Sequence, residues 1–164
     1  MEYFKRIILC KRFFKYVWRL FLFTKLDGLK NWRVSGNKNI YYYHCSFSHM
    51  FEGCSSLKNL DGLKNWNYGS DYYDNKGFEG MFKNCTSLQK PNGLAYWSVY
   101  WCKNFTDMFN GCSSLQNVES LKSWYIDREN ANFTGVFDNW TSLQNIHNIS
   151  DIQSDMQTEN RIIF

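Results

Sequence analysis

Four stretches of this chain carry one pattern, and that repetition constrains the fold more than any other feature. Met50-Phe51-Glu52-Gly53-Cys54-Ser55-Ser56-Leu57 aligns with Met81 to Leu88, with Met108 to Leu115 and with Val136 to Leu143. Successive first positions lie 31, 27 and 28 residues apart. A second block follows each at a fixed interval: Leu60-Asp61-Gly62-Leu63 then Trp66, Pro91-Asn92-Gly93-Leu94 then Trp97, and Val118-Glu119-Ser120-Leu121 then Trp124. The fourth copy decays to Ile146-His147-Asn148-Ile149, and upstream Leu26-Asp27-Gly28-Leu29 with Trp32 supplies a fifth, weaker copy. A period in this range belongs to chains built from stacked units, none of which covers its own apolar face.

The spacing within the repeat predicts its local form. Phe47, Met50, Phe51 and Cys54 recur at i, i+3, i+4 and i+7, as do Phe78 to Cys85 and Phe105 to Cys112, the pattern of one helical face. Ser46, Gly77, Asn104 and Asn132 precede these runs as N-caps. Gly53, Asn84, Gly111 and Asn139 end them, as expected of left-handed closing residues. The second block then reads as a brief extended segment and a corner, with positive φ expected in the Asp61-Gly62 and Asn92-Gly93 turns. The expected architecture is an α/β repeat, a stacked solenoid of about five short helix-plus-strand units. Residues 13–150 form the repeats, degenerate at both ends; 1–12 form a basic aromatic arm and 151–164 a C-terminal tail.

The pattern M-F-x-x-C-x-S-L-x-x-L-x-G-L-x-x-W is similar to the BspA-type leucine-rich repeats of bacterial surface proteins, including the lipoprotein-associated variant, with copies also in large DNA viruses. The resemblance covers Phe47 to Ile149 well and Phe13 to Trp32 more weakly. It implies a leucine-rich-repeat-like, right-handed parallel solenoid used for binding or adhesion, and it carries over no catalytic residues.

Composition narrows the function classes. Aromatics make up 20% of the chain, enough large apolar surface to offset chain entropy and exclude a disordered class. Residues 1–33 hold nine Lys and Arg against Glu2 and Asp27, a surplus of seven, so the remainder carries −3 of the overall +4. Lys and Arg recur throughout Tyr3 to Phe23, so neither a signal peptide nor a transmembrane segment is expected. Ile7-Ile8-Leu9-Cys10 departs from a lipoprotein cleavage box through its bulky Leu9.

Chemistry-bearing residues have structural explanations. Cys54, Cys85 and Cys112 share one register with Trp140 and Leu20, the expectation being a column of buried, reduced thiols. Cys10, Cys45 and Cys102 lie outside that register. His44, Cys45, His49 and Cys54 fall within eleven residues but fit no zinc signature, and no orienting group supports Cys45 with His49 as a nucleophilic pair. Five Asn-x-Ser/Thr sequons coincide with caps and turn positions. No catalytic residue, metal, cofactor or small-molecule substrate is expected.

What remains are candidate contact residues. In the arm and the weak first repeat these are Lys5, Arg6, Lys11, Arg12, Phe13, Phe14, Trp18 and Arg19; in the segments between repeats they are Tyr41, Tyr42, Tyr43, Tyr72, Tyr73, Tyr100, Trp101 and Tyr125. Variable loops on a constant scaffold carry contacts, and Tyr and Trp provide stiff contact area; equally, these rings can close the edge of the stack. The arm reads either as a capping repeat with a solvated basic face or as a docking element for protein or a membrane surface, with nucleic acid disfavoured. The functional expectation is a non-enzymatic scaffold for protein-protein interaction, a structural or docking component of a larger assembly. A virion's minor capsid component or an intracellular assembly is the expected setting. The alternative is a cell-surface adhesin for host protein or glycan.

Overall fold

The computed structural model describes residues 24–30, 47–66, 77–100, 102–124, 126 and 131–141. The proposed arm, the tail and the outer parts of the degenerate end repeats lie outside the described residues.

Within each repeat, the backbone divides its N–H groups between two uses. In the first copy the Met50, Glu52 and Cys54 amides donate back to the Phe47, His49 and Phe51 carbonyls, closing three overlapping turns. The intervening amides of His49, Phe51 and Gly53 donate instead to Glu79, Met81 and Lys83 of the next copy at 2.7, 2.9 and 2.7 Å. The same alternation links Gly80, Phe82 and Asn84 to Thr106, Met108 and Asn110, and Asp107, Phe109 and Gly111 to Thr134, Val136 and Asp138. Equivalent residues therefore stack in register, one copy on the next.

This pattern overturns the expected helix-plus-strand solenoid. Among the described residues there is neither an α-helix nor a strand; the regular elements are four short 3-10 turns, Asp27–Leu29, Asp61–Leu63, Asn92–Leu94 and Glu119–Ser123, plus the isolated parallel bridges Asn59 to Lys90 and Asn104 to Asn132. The reason is a left-handed residue every fourth position. His49 and Gly53, Gly80 and Asn84, Asp107 and Gly111, and Gly135 and Asn139 all have φ between 56° and 73°. A residue of that hand interrupts α-helical hydrogen bonding and turns alternate amides toward the neighbouring copy. The i, i+3, i+4, i+7 spacing still places its apolar members inward, so periodicity alone did not separate this coil from a helix.

The caps and corners change meaning accordingly. Asn104 and Asn132 have no helix to cap; their Oδ1 atoms accept from the Thr106 and Thr134 amides at 3.0 and 2.9 Å, shaping the entry turn. Gly53, Asn84, Gly111 and Asn139 have the left-handed conformation expected of them. Gly62 and Gly93 do not: they sit inside 3-10 turns, and glycine is required there because a Cβ would overlap the Leu26 or Leu60 carbonyl of the preceding copy.

The core lies between the two blocks as columns of like residues. Phe51 stacks on Phe82 and Phe82 on Phe109, each with centroids 5.5 Å apart, and Phe109 on Phe137 at 5.8 Å. Phe47, Phe78, Phe105 and Phe133 form a second ring column, and Trp66 stacks on Trp97 at 6.3 Å. Each indole N–H reaches the previous copy: Trp66 donates to Leu29, Trp97 to Leu63 and Trp124 to Leu94, at 2.8–3.0 Å. Burial of this apolar area, with every described indole satisfied, holds adjacent copies together.

Candidate functional site

The cysteine column is interior. Cys54, Cys85, Cys112 and the off-register Cys102 are buried free thiols. The Cys85 thiol donates to the Phe51 carbonyl and the Cys112 thiol to the Phe82 carbonyl, both at 3.1 Å. Trp140, buried in the same register, turns its indole N–H to the Leu115 carbonyl instead. Burial pushes the thiols up, Cys54 to about 11 and Cys102 and Cys112 to about 12, so the nucleophilic thiolate is disfavoured. Cys10 and Cys45 lie outside the described residues.

The four-ligand cluster is not assembled from what is described. His44 and Cys45 lie outside the described residues, Cys54 is in the core, and His49 is on the exposed edge. Among the described residues, no group of three or more His, Cys, Asp and Glu side chains is placed to hold a metal.

The turn block instead presents a linked row of polar side chains. Its inward positions are nearly constant, whereas the outward ones change from copy to copy. One outward position reads Ser48, Glu79, Thr106, Thr134; the next His49, Gly80, Asp107, Gly135; a third Glu52, Lys83, Asn110, Asp138. Stacking brings these within reach across copies. His49 Nδ1 lies 2.8 Å from Glu52 Oε2, and its Nε2 lies 3.8 Å from Glu79 Oε1. Asn104 donates to Glu79 at 3.1 Å, Lys83 donates to Asp107 at 2.7 Å, and Asn110 donates to the other Asp107 oxygen at 3.0 Å. Asn139 extends the row to Asn110 at 3.2 Å. The hydrogen bond from Lys83 holds the Asp107 carboxyl below the usual carboxylate range, with Asn110 adding to it, and the same bond holds the Lys83 ammonium up.

Of the sequence-predicted contact residues, only Tyr100 is described, and it is half-buried. Lys5, Arg6, Lys11, Arg12, Phe13, Phe14, Trp18, Arg19, Tyr41, Tyr42, Tyr43, Tyr72, Tyr73, Trp101 and Tyr125 lie outside the described residues. Sequence reasoning missed the His49 to Asn139 row. Its signal was available: positions that change charge between otherwise constant copies. It also missed Tyr96, 88% exposed, in the register where Asn65 and Ser123 bond back to the Lys30 and Ala95 carbonyls.

A constant stacked interior bearing a variable polar edge defines a repeat protein whose surface, not its core, distinguishes one copy from the next. The chain belongs to the family described as "Mycoplasma protein of unknown function, DUF285", whose pattern matches residues 14–152. That membership agrees with the BspA-type resemblance in the repeat. No curated protein and no solved structure matches the chain. Among the described residues, no helix is long and apolar enough to cross a membrane.

Proposed function

We propose that this protein is a non-enzymatic scaffold for protein-protein interaction, acting as a docking component of a larger assembly. The observation that carries this reading is the contrast between nearly constant ring columns and the row from His49 to Asn139, where one outward position reads Glu52, Lys83, Asn110 and Asp138, a different side chain in each copy. A stack that repeats its interior and varies its edge displays a distinct polar pattern at fixed spacing, which is how repeat scaffolds discriminate partners. The basic arm, Lys5 to Arg19, is a second docking element in this proposal.

The test is affinity purification of the full-length chain from its natural source. A partner at fixed stoichiometry is expected, and it should be lost with Glu52→Lys/Glu79→Lys while the melting temperature holds. Recovery of no partner, or equal recovery by the variant, overturns the reading. Association with purified particles would mark a virion component. The alternative, a surface adhesin for host protein or glycan, draws support from the BspA-type resemblance of the repeat, and surface labelling of intact cells separates the two.

A further inference from the structure

Charge is divided across the stack. The turn edge carries Glu52, Glu79, Asp107 and Asp138 against Lys83 and Lys103. The edge built from the second block, on the other side of the ring columns, carries six lysines against Asp27, Asp61 and Glu119. The two edges also differ in how their charges are used. On the turn edge, Glu52 and Glu79 face His49, and Lys83 holds Asp107. On the second-block edge Glu119 pairs with Lys122 at 2.7 Å, while Lys25, Lys30, Lys58, Lys64 and Lys90 make no ion pair among the described residues.

The stack sets these lysines on neighbouring rungs, Lys25 and Lys90 in the register of Asn59 and Lys58 one position earlier. The Lys58 amide bonds to the Thr24 carbonyl, the Gln89 amide to Lys58 and the Gln116 amide to Gln89, so Lys25, Lys58 and Lys90 stand on successive rungs. Ring columns fix the rung spacing at about 5.5 Å, within a Debye length at physiological salt, so the lysines act on a facing anion together. Tyr96, the exposed aromatic on this edge, stands between the rungs of Lys64 and Lys122.

We propose that the second-block edge docks on an anionic lipid surface. Three features select that partner. Every described cation is a lysine, a point charge suited to a diffuse layer of headgroups, whereas phosphates read one by one favour the guanidinium fork. Among the described residues a single exposed aromatic gives no series of platforms for stacked bases, and the lysines there are not interleaved with apolar anchors of the kind that dominate protein interfaces. A lone tyrosine whose ring is apolar and whose hydroxyl is polar matches the membrane interface. The acidic turn edge would then face away from the membrane, leaving the variable row open to a protein partner. This inference stands on different residues from the proposed function, so each can fail alone.

The test is co-sedimentation of the full-length chain with vesicles of phosphatidylcholine containing about 30% phosphatidylserine, against phosphatidylcholine alone, at low and high salt. Binding to the anionic vesicles only, weakened by salt, is expected. Lys58→Glu/Lys90→Glu should lower the partition constant by more than about fivefold per lysine, and Lys58→Gln/Lys90→Gln by about that factor. Lys83→Glu/Lys103→Glu makes the same charge change on the turn edge and should lower it far less. Melting temperatures identify any variant that unfolds, in which case the glutamine pair decides. All variants retain the basic arm, so equal losses at the two edges would assign binding to net charge or to the arm and overturn the proposal. Unchanged binding by the second-block variants, or binding to nucleic acid or an acidic protein but not to vesicles, would overturn it equally.

Discussion

Cys85 donates its thiol proton to the Phe51 carbonyl one copy earlier, 3.1 Å away, and Cys112 repeats the contact on Phe82. The column thus links adjacent turns by hydrogen bond as well as by packing. Cys85→Ala removes both, and the expected cost is about 2 kcal/mol by urea unfolding. A loss below about 0.5 kcal/mol would show that the column contributes little.

Buried thiols also fix an alkaline limit. Unfolded cysteines ionise near 9.0, whereas burial raises Cys54 to about 11 and Cys112 to about 12. The unfolded chain therefore binds fewer protons between those values, and stability falls as pH rises above about 9. Cys54→Val should shallow the decline between about pH 9 and 11. An identical slope for the variant would refute the assignment.

Glycine in the second block is required in some copies and not in others. A Cβ at Gly93 would overlap the Leu60 carbonyl, whereas one at Gly28 meets nothing within 4 Å. Gly93→Ala should destabilise by more than about 3 kcal/mol because adjacent copies must separate, and Gly28→Ala should change stability by less than about 0.5 kcal/mol. Comparable effects at the two sites would contradict the close approach.

Ser120 occupies the register of Gly62 and Gly93, and its hydroxyl oxygen is buried without a hydrogen-bond partner among the described residues. Ser120→Ala should therefore stabilise the fold by about 1 kcal/mol. A loss of stability would mean the hydroxyl has a partner in solution.

On the acid side, Lys83 lowers the Asp107 pKa. Its contribution is present above the unfolded carboxylate value and disappears as pH falls through the lower native one. A cycle of Lys83→Met, Asp107→Asn and the double variant should show coupling at neutral pH that vanishes in acid. Coupling that persists at low pH would refute an ion pair.

The sequence determined the repeat, its register and its interior: Phe51, Phe82, Phe109 and Phe137 align by inspection because a stack buries the same position in every copy. It also marked the left-handed positions Gly53, Asn84, Gly111 and Asn139, since few residues tolerate that backbone. It did not determine the form of the coil. His49 and Asp107 are left-handed too, and with them alternate amides leave the local turn for the next copy, a choice made only when a neighbour supplies the carbonyl. For the same reason, the row joining His49 to Asn139 and the set of lysines without an ion pair among the described residues were hidden in sequence. Their members lie about one repeat apart along the chain, and only stacking brings them to neighbouring rungs.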